Sequence, residues 1–373
     1  MTYIKTIILT SLIFLTQFLT GCGGLDLEPE DYIEPSLPKD LREILDSDVL
    51  AQSSFYKGAP YYAETDSRYD DVRTKFDLIV PACDTLCPVV VYIHGGAFTS
   101  GDKNRAYTYR NNGKSPEESP ILYGTKELLE RGIAVATLNY HYLADDGSGL
   151  VVPLNDVVRA IKTIKFFGNR FGVSPSRMML SGSSAGAGAA LWVGLSDDFA
   201  DTDSFDIVEM QSTAVKGIYA YRTQATYDIL RWEQDVMPGV PVVSDLLGGN
   251  SDLQSARGVI RKAYGMDSWW SRDQLLATDV TIKRERLDML DLMSAGDTEL
   301  WIDNSTVQGS YQSLRTIDAF YHGPEHAVAL HNRARQLGIN HTTVIRDSSG
   351  ALQTLSSTGD ANVLDFAERI LGM

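Results

Sequence analysis

The chain has 373 residues, 43% of them hydrophobic and 22% charged, with a formal net charge of −16. That length suits one large domain with an insertion, or at most two domains. The acidic balance and the lack of any Lys/Arg cluster argue against nucleic acid as a partner, and three cysteines fall short of a tetrahedral zinc set without further ligands.

Residues 1–21 read as a targeting segment rather than as part of the fold. Lys5 supplies a positive start, Ile7 to Leu19 an apolar stretch, and Leu19-Thr20-Gly21-Cys22 a small-residue cleavage site ending in cysteine. The apolar stretch is short against the roughly 20 residues that span a bilayer as a helix. The pattern resembles a bacterial lipobox, which implies lipidation of Cys22, export, and anchoring to a bacterial membrane, periplasmic or at the cell surface. Residues 22–60, rich in Asp, Glu and Pro, read as a tether with one short helix at 41–50. In an exported protein Cys83 and Cys87, four apart in a loop, are expected to form a disulfide.

From about residue 70 the chain alternates strand and helix patterns, which implies a parallel sheet with right-handed crossovers. Strands are expected at 74–80, 88–94, 133–139, 177–182 and 215–219, with an amphipathic helix at 153–170 carrying Val157, Ile161, Ile164 and Phe167 on one side. Between about 222 and 296 this rhythm breaks into charged helical patterns holding Trp232, Tyr264, Trp269 and Trp270, expected to form a cap. It resumes with a strand at 299–303, a helix at 324–337, a strand at 342–346 and a closing helix at 361–371.

Two motifs sit at strand ends. Gly182-Ser183-Ser184-Ala185-Gly186 follows the apolar run Met178-Met179-Leu180 and precedes small residues opening a helix. That is the setting of a nucleophile elbow with Ser184 as nucleophile. His94-Gly95-Gly96-Ala97-Phe98 follows the strand Pro88–Ile93. A Gly-rich loop there can aim backbone N–H groups of Gly95, Gly96 and Ala97, with that of Ala185, at one developing oxyanion.

With these motifs, and with Gly101-Asp102-Lys103, Leu138-Asn139-Tyr140-His141-Tyr142 and Pro153-Leu154-Asn155-Asp156 between them, the stretch from Thr74 to Leu195 resembles the α/β-hydrolase esterases with an HGG-type oxyanion loop. These include hormone-sensitive-lipase-like and feruloyl or acetyl esterase-like bacterial enzymes. The resemblance implies an α/β-hydrolase fold over residues 61–373: a mostly parallel, doubly wound sheet with a helical cap insertion. It also implies a serine carboxylesterase acting on small-molecule or glycan esters without a cofactor, with site residues in the order Ser, acid, His.

The acid candidates are Asp303, at a strand end, and Asp318, whose place ahead of the Gln336-Leu337-Gly338 helix end better matches the family. The family's histidine belongs in the loop after the last strand. Here that loop, 347–360, reads DSSGALQTLSSTGD and holds none. His322 and His326 lie nearest the acid and are the remaining base candidates; His94 is expected to brace its own loop. His322 to His326 also spells H-x-x-E-H, but Gly323-Pro324 breaks the helix that a zinc pair would need, so no metal is expected. Two readings follow: an ester hydrolase whose base the residues do not name, or a non-catalytic hydrolase-fold binding protein that has lost it.

Overall fold

The computed structural model describes residues 25–44, 52–110, 113, 115, 119–249, 251–266 and 271–373. The expected leader, Cys22, Trp269 and Trp270 lie outside the described residues. One ten-stranded sheet organises the rest. In chain order its strands are β1 (Ile33–Glu34), β2 (Ser54–Pro60), β3 (Lys75–Val80), β4 (Cys87–Ile93), β5 (Ala134–Leu138), β6 (Val173–Ser183), β7 (Gly217–Tyr221), β8 (Glu299–Asn304), β9 (His341–Arg346) and β10 (Leu352–Ser356). They lie side by side as β1-β2-β3-β5-β4-β6-β7-β8-β9-β10. The block from β5 to β9 is parallel, and the antiparallel pairings fall at the two flanks.

Every residue of β4 is buried, as expected of a parallel strand covered on both faces. Val89, Val91 and Ile93 point to the larger core, which they share with α3 (Val151–Phe166), α4 (Ala185–Leu195) and α8 (Pro324–Leu337). Val90 and Tyr92 point the other way, toward α2 (Pro120–Glu130) and α9 (Val363–Leu371). This is the doubly wound arrangement expected from the sequence, and it places the C-terminal ends of β4 and β6 next to each other, with Ile93 opposite Gly182.

The N-terminal region differs from the tether read in the sequence. The acidic, Pro-rich composition of 22–60 hides α1 (Lys39–Ile44), β1 and β2. β2 pairs along β3 from Ser54↔Val80 to Pro60↔Lys75, and Leu25 and Leu27 are buried in the main core. Their apolar side chains are too widely spaced in sequence to show a period. The expected helix at 41–50 is described only to Ile44. Cys83 and Cys87 are joined by a disulfide.

Between β7 and β8 the chain leaves the sheet for short helical turns, α5 (Gln254–Ala263) and α6 (Thr278–Arg286). A buried Asp228–Arg284 ion pair, at 2.8 Å from both carboxylate oxygens, ties this insertion together. Trp232 anchors it to the sheet domain, packing against the rings of His326 (4.4 Å) and Phe320 (4.9 Å).

Candidate active site

The strand β6 ends where Ser184 adopts φ 55°, ψ −120°, a conformation a non-glycine residue keeps only when its surroundings enforce it. The enforcement is visible on both sides. A Cβ on Gly182 would lie 2.3 Å from the Gly186 carbonyl oxygen, and one on Gly186 would lie 2.0 Å from that of Ile93. Only glycines allow β6, α4 and the end of β4 to approach this closely. Tyr221 at the end of β7 accepts the Ser184 N–H at 3.0 Å, and α4 begins at once with Ala185. The first N–H groups of a helix have no partner within it, so the Ala185 amide is available beside the serine hydroxyl.

The facing loop is built from a second run of unusual backbone angles: Gly96 (φ 122°), Ala97 (φ 53°) and Phe98 (φ 55°). Among the described residues no backbone acceptor outside helices and strands takes the Gly96 or Ala97 amide. The loop abuts the elbow: a Cβ on Gly95 would meet Ser184 Cβ at 3.2 Å and the Ser183 carbonyl oxygen at 2.6 Å. His94 braces it from inside. Its Nδ1 lies 2.8 Å from the Gly95 carbonyl, its ring stacks on Tyr140 at 4.4 Å, and the Tyr140 hydroxyl donates to the His94 carbonyl at 2.7 Å. Burial pushes the His94 imidazole down to about 4, so it is neutral at pH 7.

The partner of the serine comes from α7 (Ile317–His322), a six-residue helix capped by Thr316, whose hydroxyl accepts the Ala319 N–H at 3.2 Å. His322 Nε2 lies 2.8 Å from Ser184 Oγ. Its Nδ1 lies 2.7 Å from Asp318 Oδ1, one turn earlier on the same helix. An i, i+4 pair shares one helical face, so the helix itself aligns the carboxylate with the ring. Asp318 also accepts a hydrogen bond from Arg222 Nη2, and that nitrogen is 3.1 Å from His322 Nδ1. Burial pushes the His322 imidazole below its usual range, as does the nearby guanidinium, while the contact with Asp318 pulls it back up. The hydrogen bond from His322, then the Arg222 charge, holds the Asp318 carboxyl below its usual range despite opposing burial.

The other sequence candidates stand elsewhere. His326 is fully buried: its Nδ1 accepts the Ala225 N–H at 3.2 Å and its Nε2 meets the Phe320 carbonyl at 2.9 Å. Burial drops its imidazole to about 3, so both ring nitrogens serve the backbone. Glu325 accepts the Tyr311 N–H at 2.7 Å, and the H-x-x-E-H residues face three different partners. Asp303, at the end of β8, accepts the Ser305 N–H at 2.9 Å and lines a cavity with Tyr219 and Tyr221 between α2 and α9, on the far face of the sheet. His141 is held by buried Asp156 at 2.7 Å, and His331 and His341 contact each other at 3.0 Å.

Beside Ser184 lies an apolar cavity of ≈ 70 Å³. Phe98 from the oxyanion loop and Leu143 form one wall, and Ile260, Ala263 and Tyr264 from the insertion close it. Tyr227 enters from below, its hydroxyl donating to the Ala185 carbonyl at 2.8 Å. Arg222, Ile260 and Ala263 are what sequence reasoning did not single out, whereas Tyr264 is among the aromatics it named in the expected cap. Arg222 is a lone arginine after a strand, with no motif around it.

The two strand-end loops and the helices on both faces of a parallel sheet are matched by comparison with known proteins. Residues 76–255 match the BD-FAE family model. Over this segment the chain is similar to the BD-FAE family of α/β-hydrolase-like esterases. Among solved structures, it is similar to a truncated carbohydrate esterase from gut microbiota, with a TM-score of 0.54 and 13% identity over 91% of this chain and 100% of the other. It is also similar to esterase B from Lactobacillus rhamnosis (TM-score 0.51, 15% identity, 84% of this chain and 80% of the other). A third similar structure is a bifunctional GH43-CE protein of Bacteroides eggerthii (TM-score 0.52, 15% identity, 85% of this chain and 38% of the other). At these identities the structures establish a shared fold. No curated protein matches this sequence.

Proposed function

We propose that this BD-FAE-type chain is a serine carboxylesterase that removes short acyl groups from glycan or small-molecule esters. The observation that carries the reading is the continuous chain of contacts from Ser184 Oγ to His322 Nε2 and from His322 Nδ1 to Asp318, beside the amides of the Gly95–Ala97 loop. His322 Nε2 takes the Ser184 proton as Oγ attacks the ester carbonyl, and the amides of Gly96, Ala97 and Ala185 receive the oxyanion. The imidazolium then protonates the departing alcohol as the carbon–oxygen bond breaks and the acyl-enzyme forms. A water, deprotonated by the same nitrogen, releases the carboxylic acid and restores Ser184. A binding scaffold that has lost its base is disfavoured, since the ring missing from the loop 347–360 is supplied by α7.

The cavity size supports a short acyl group. A cavity of about 150 Å³ lined by aliphatic and aromatic side chains holds benzene, and the one beside Ser184 is ≈ 70 Å³. That size favours an acetyl methyl over an aromatic acyl group. On 4-nitrophenyl esters kcat/KM should fall about ten-fold or more from acetate to hexanoate, and Ile260→Ala should narrow that gap by opening the wall. Equal rates on acetate and hexanoate would show that the cavity does not hold the acyl chain. The glycan part of the proposal draws on the similarity to a carbohydrate esterase.

Export and anchoring through Cys22 complete the proposal, on the strength of the leader alone. In a bacterial host, labelled palmitate should enter the full-length chain and fail to enter Cys22→Ala. Equal labelling of both would overturn lipidation at this cysteine.

A further inference from the structure

We propose that Arg222 is the positioning residue of the acid–base pair, fastening Asp318 and His322 to the sheet that carries the nucleophile. The inference rests on the reading of Ser184 and His322 given above. The need for such a strut follows from the acid's setting. Asp318 is half exposed, with 50% of its side chain accessible, and it stands on a helix of six residues. A solvent-exposed carboxylate on one helical turn is weakly held by its own contacts, whereas a histidine base needs its acid in a fixed direction.

Arg222 supplies that direction from the sheet. It follows Tyr221, whose carbonyl accepts the Ser184 N–H at 3.0 Å. Its own N–H donates to the Asp303 carbonyl at 2.8 Å, locking it to the end of β8. Its backbone sits at φ 52°, strain that persists only where the surroundings over-determine the conformation, and its guanidinium reaches Asp318. Adjacent residues thus hold the nucleophile through a carbonyl and the acid through a side chain. The same junction is fastened twice more. Buried Asn304 donates to the carbonyls of Thr223 and Gly323, each at 3.0 Å, and Gln224 donates to that of Tyr321 at 2.9 Å.

Arg222 also bears on the tautomer. His322 Nδ1 faces Asp318 Oδ1 at 2.7 Å and Arg222 Nη2 at 3.1 Å. A guanidinium has no lone pair to offer, so an Nδ1 proton can be accepted only by Asp318, and Arg222 favours that tautomer by holding this carboxylate in place. That leaves Nε2 free to accept from Ser184. The charged and titratable groups around the ring are Asp318 on its own helix, Arg222 from the turn after β7, and His326 and Glu325 on α8. His326 is kept neutral by burial, and Glu325 is turned to the Tyr311 amide.

The test compares the full-length wild-type chain with Arg222→Gln and Arg222→Lys on 4-nitrophenyl acetate, from about pH 5 to 9 around the imidazole range. Arg222→Gln should lower kcat/KM about 10²-fold, mainly through kcat. Because a cation beside the ring is lost, the acidic limb should move to higher pH. Lysine should restore the limb and only part of the rate. An unaltered rate in Arg222→Gln overturns the proposal. So does a loss of rate with an unmoved limb and a lowered melting temperature, which marks a merely structural residue. The His322 ring is followed by nitrogen NMR in Ser184→Ala and in Ser184→Ala/Arg222→Gln, which needs no activity. If wild type and Ser184→Ala prove equally inactive, the esterase reading fails and the NMR alone decides. A raised ring titration or a mixed tautomer in the double variant sustains Arg222 as the strut; identical spectra overturn it.

Discussion

Ser184→Ala should reduce 4-nitrophenyl acetate hydrolysis to background, and His322→Ala should do the same. When nucleophile and base act as a unit, removing either costs about 10⁶-fold and removing both costs little more. The Ser184→Ala/His322→Ala double variant should therefore match the single ones. Near-independent effects would mean that the 2.8 Å contact between Oγ and Nε2 is not the productive one. Full activity in His322→Ala would transfer the base role away from α7. Neither side chain belongs to the hydrophobic core clusters, so melting temperatures should stay close to wild type and separate chemistry from folding.

The second large effect concerns the acid. Asp318→Asn should lower kcat about 10⁴-fold, while Asp303→Asn should stay within a few-fold of wild type. The physical reason lies at His322 Nδ1. With a carboxylate present, both Nδ1–H and the Arg222 guanidinium donate to Asp318. With an amide there, whose NH₂ can donate to Nδ1, and a guanidinium 3.1 Å away, the ring is drawn to the tautomer that carries its proton on Nε2. That tautomer cannot accept from Ser184. The opposite ranking of the two substitutions would place the acid at the end of β8 and leave Asp318 as a surface carboxylate.

Much of this site can be read from residues alone, because strain leaves a signature. Gly182 and Gly186 are required by approaches of 2.3 and 2.0 Å to backbone oxygens, so the elbow announces itself in the sequence. The HGG loop does so for a similar reason, through Gly96 at φ 122°. The parallel strands are legible as continuous apolar runs such as Val89-Val90-Val91. The base was harder to place. The expected loop, 347–360, turns back as β10, pairing antiparallel with β9 from Leu352↔Arg346, and so it cannot reach over the sheet. The one signal that could have named His322 is its four-residue spacing from Asp318 ahead of a Gly-Pro break, which puts acid and base on one turn of a short helix. Arg222 left no trace, since its role depends on where a strand end meets a helix distant in sequence. β2 was hidden for a different reason: it is a flank strand in a polar segment, and its partner is fixed by register rather than by its own hydrophobicity.

Placing acid and base four residues apart on α7 makes the site's proton-handling half a single fraying unit. A helix of six residues held by one threonine cap and a few side-chain ties can open without disturbing the ten-stranded sheet. When it opens, base and orienting carboxylate depart together, and the serine is left intact but idle. Amide exchange at Phe320–His322 should therefore report the resting fraction of competent molecules directly, and a substitution that firms this one turn would raise turnover with no change in the fold.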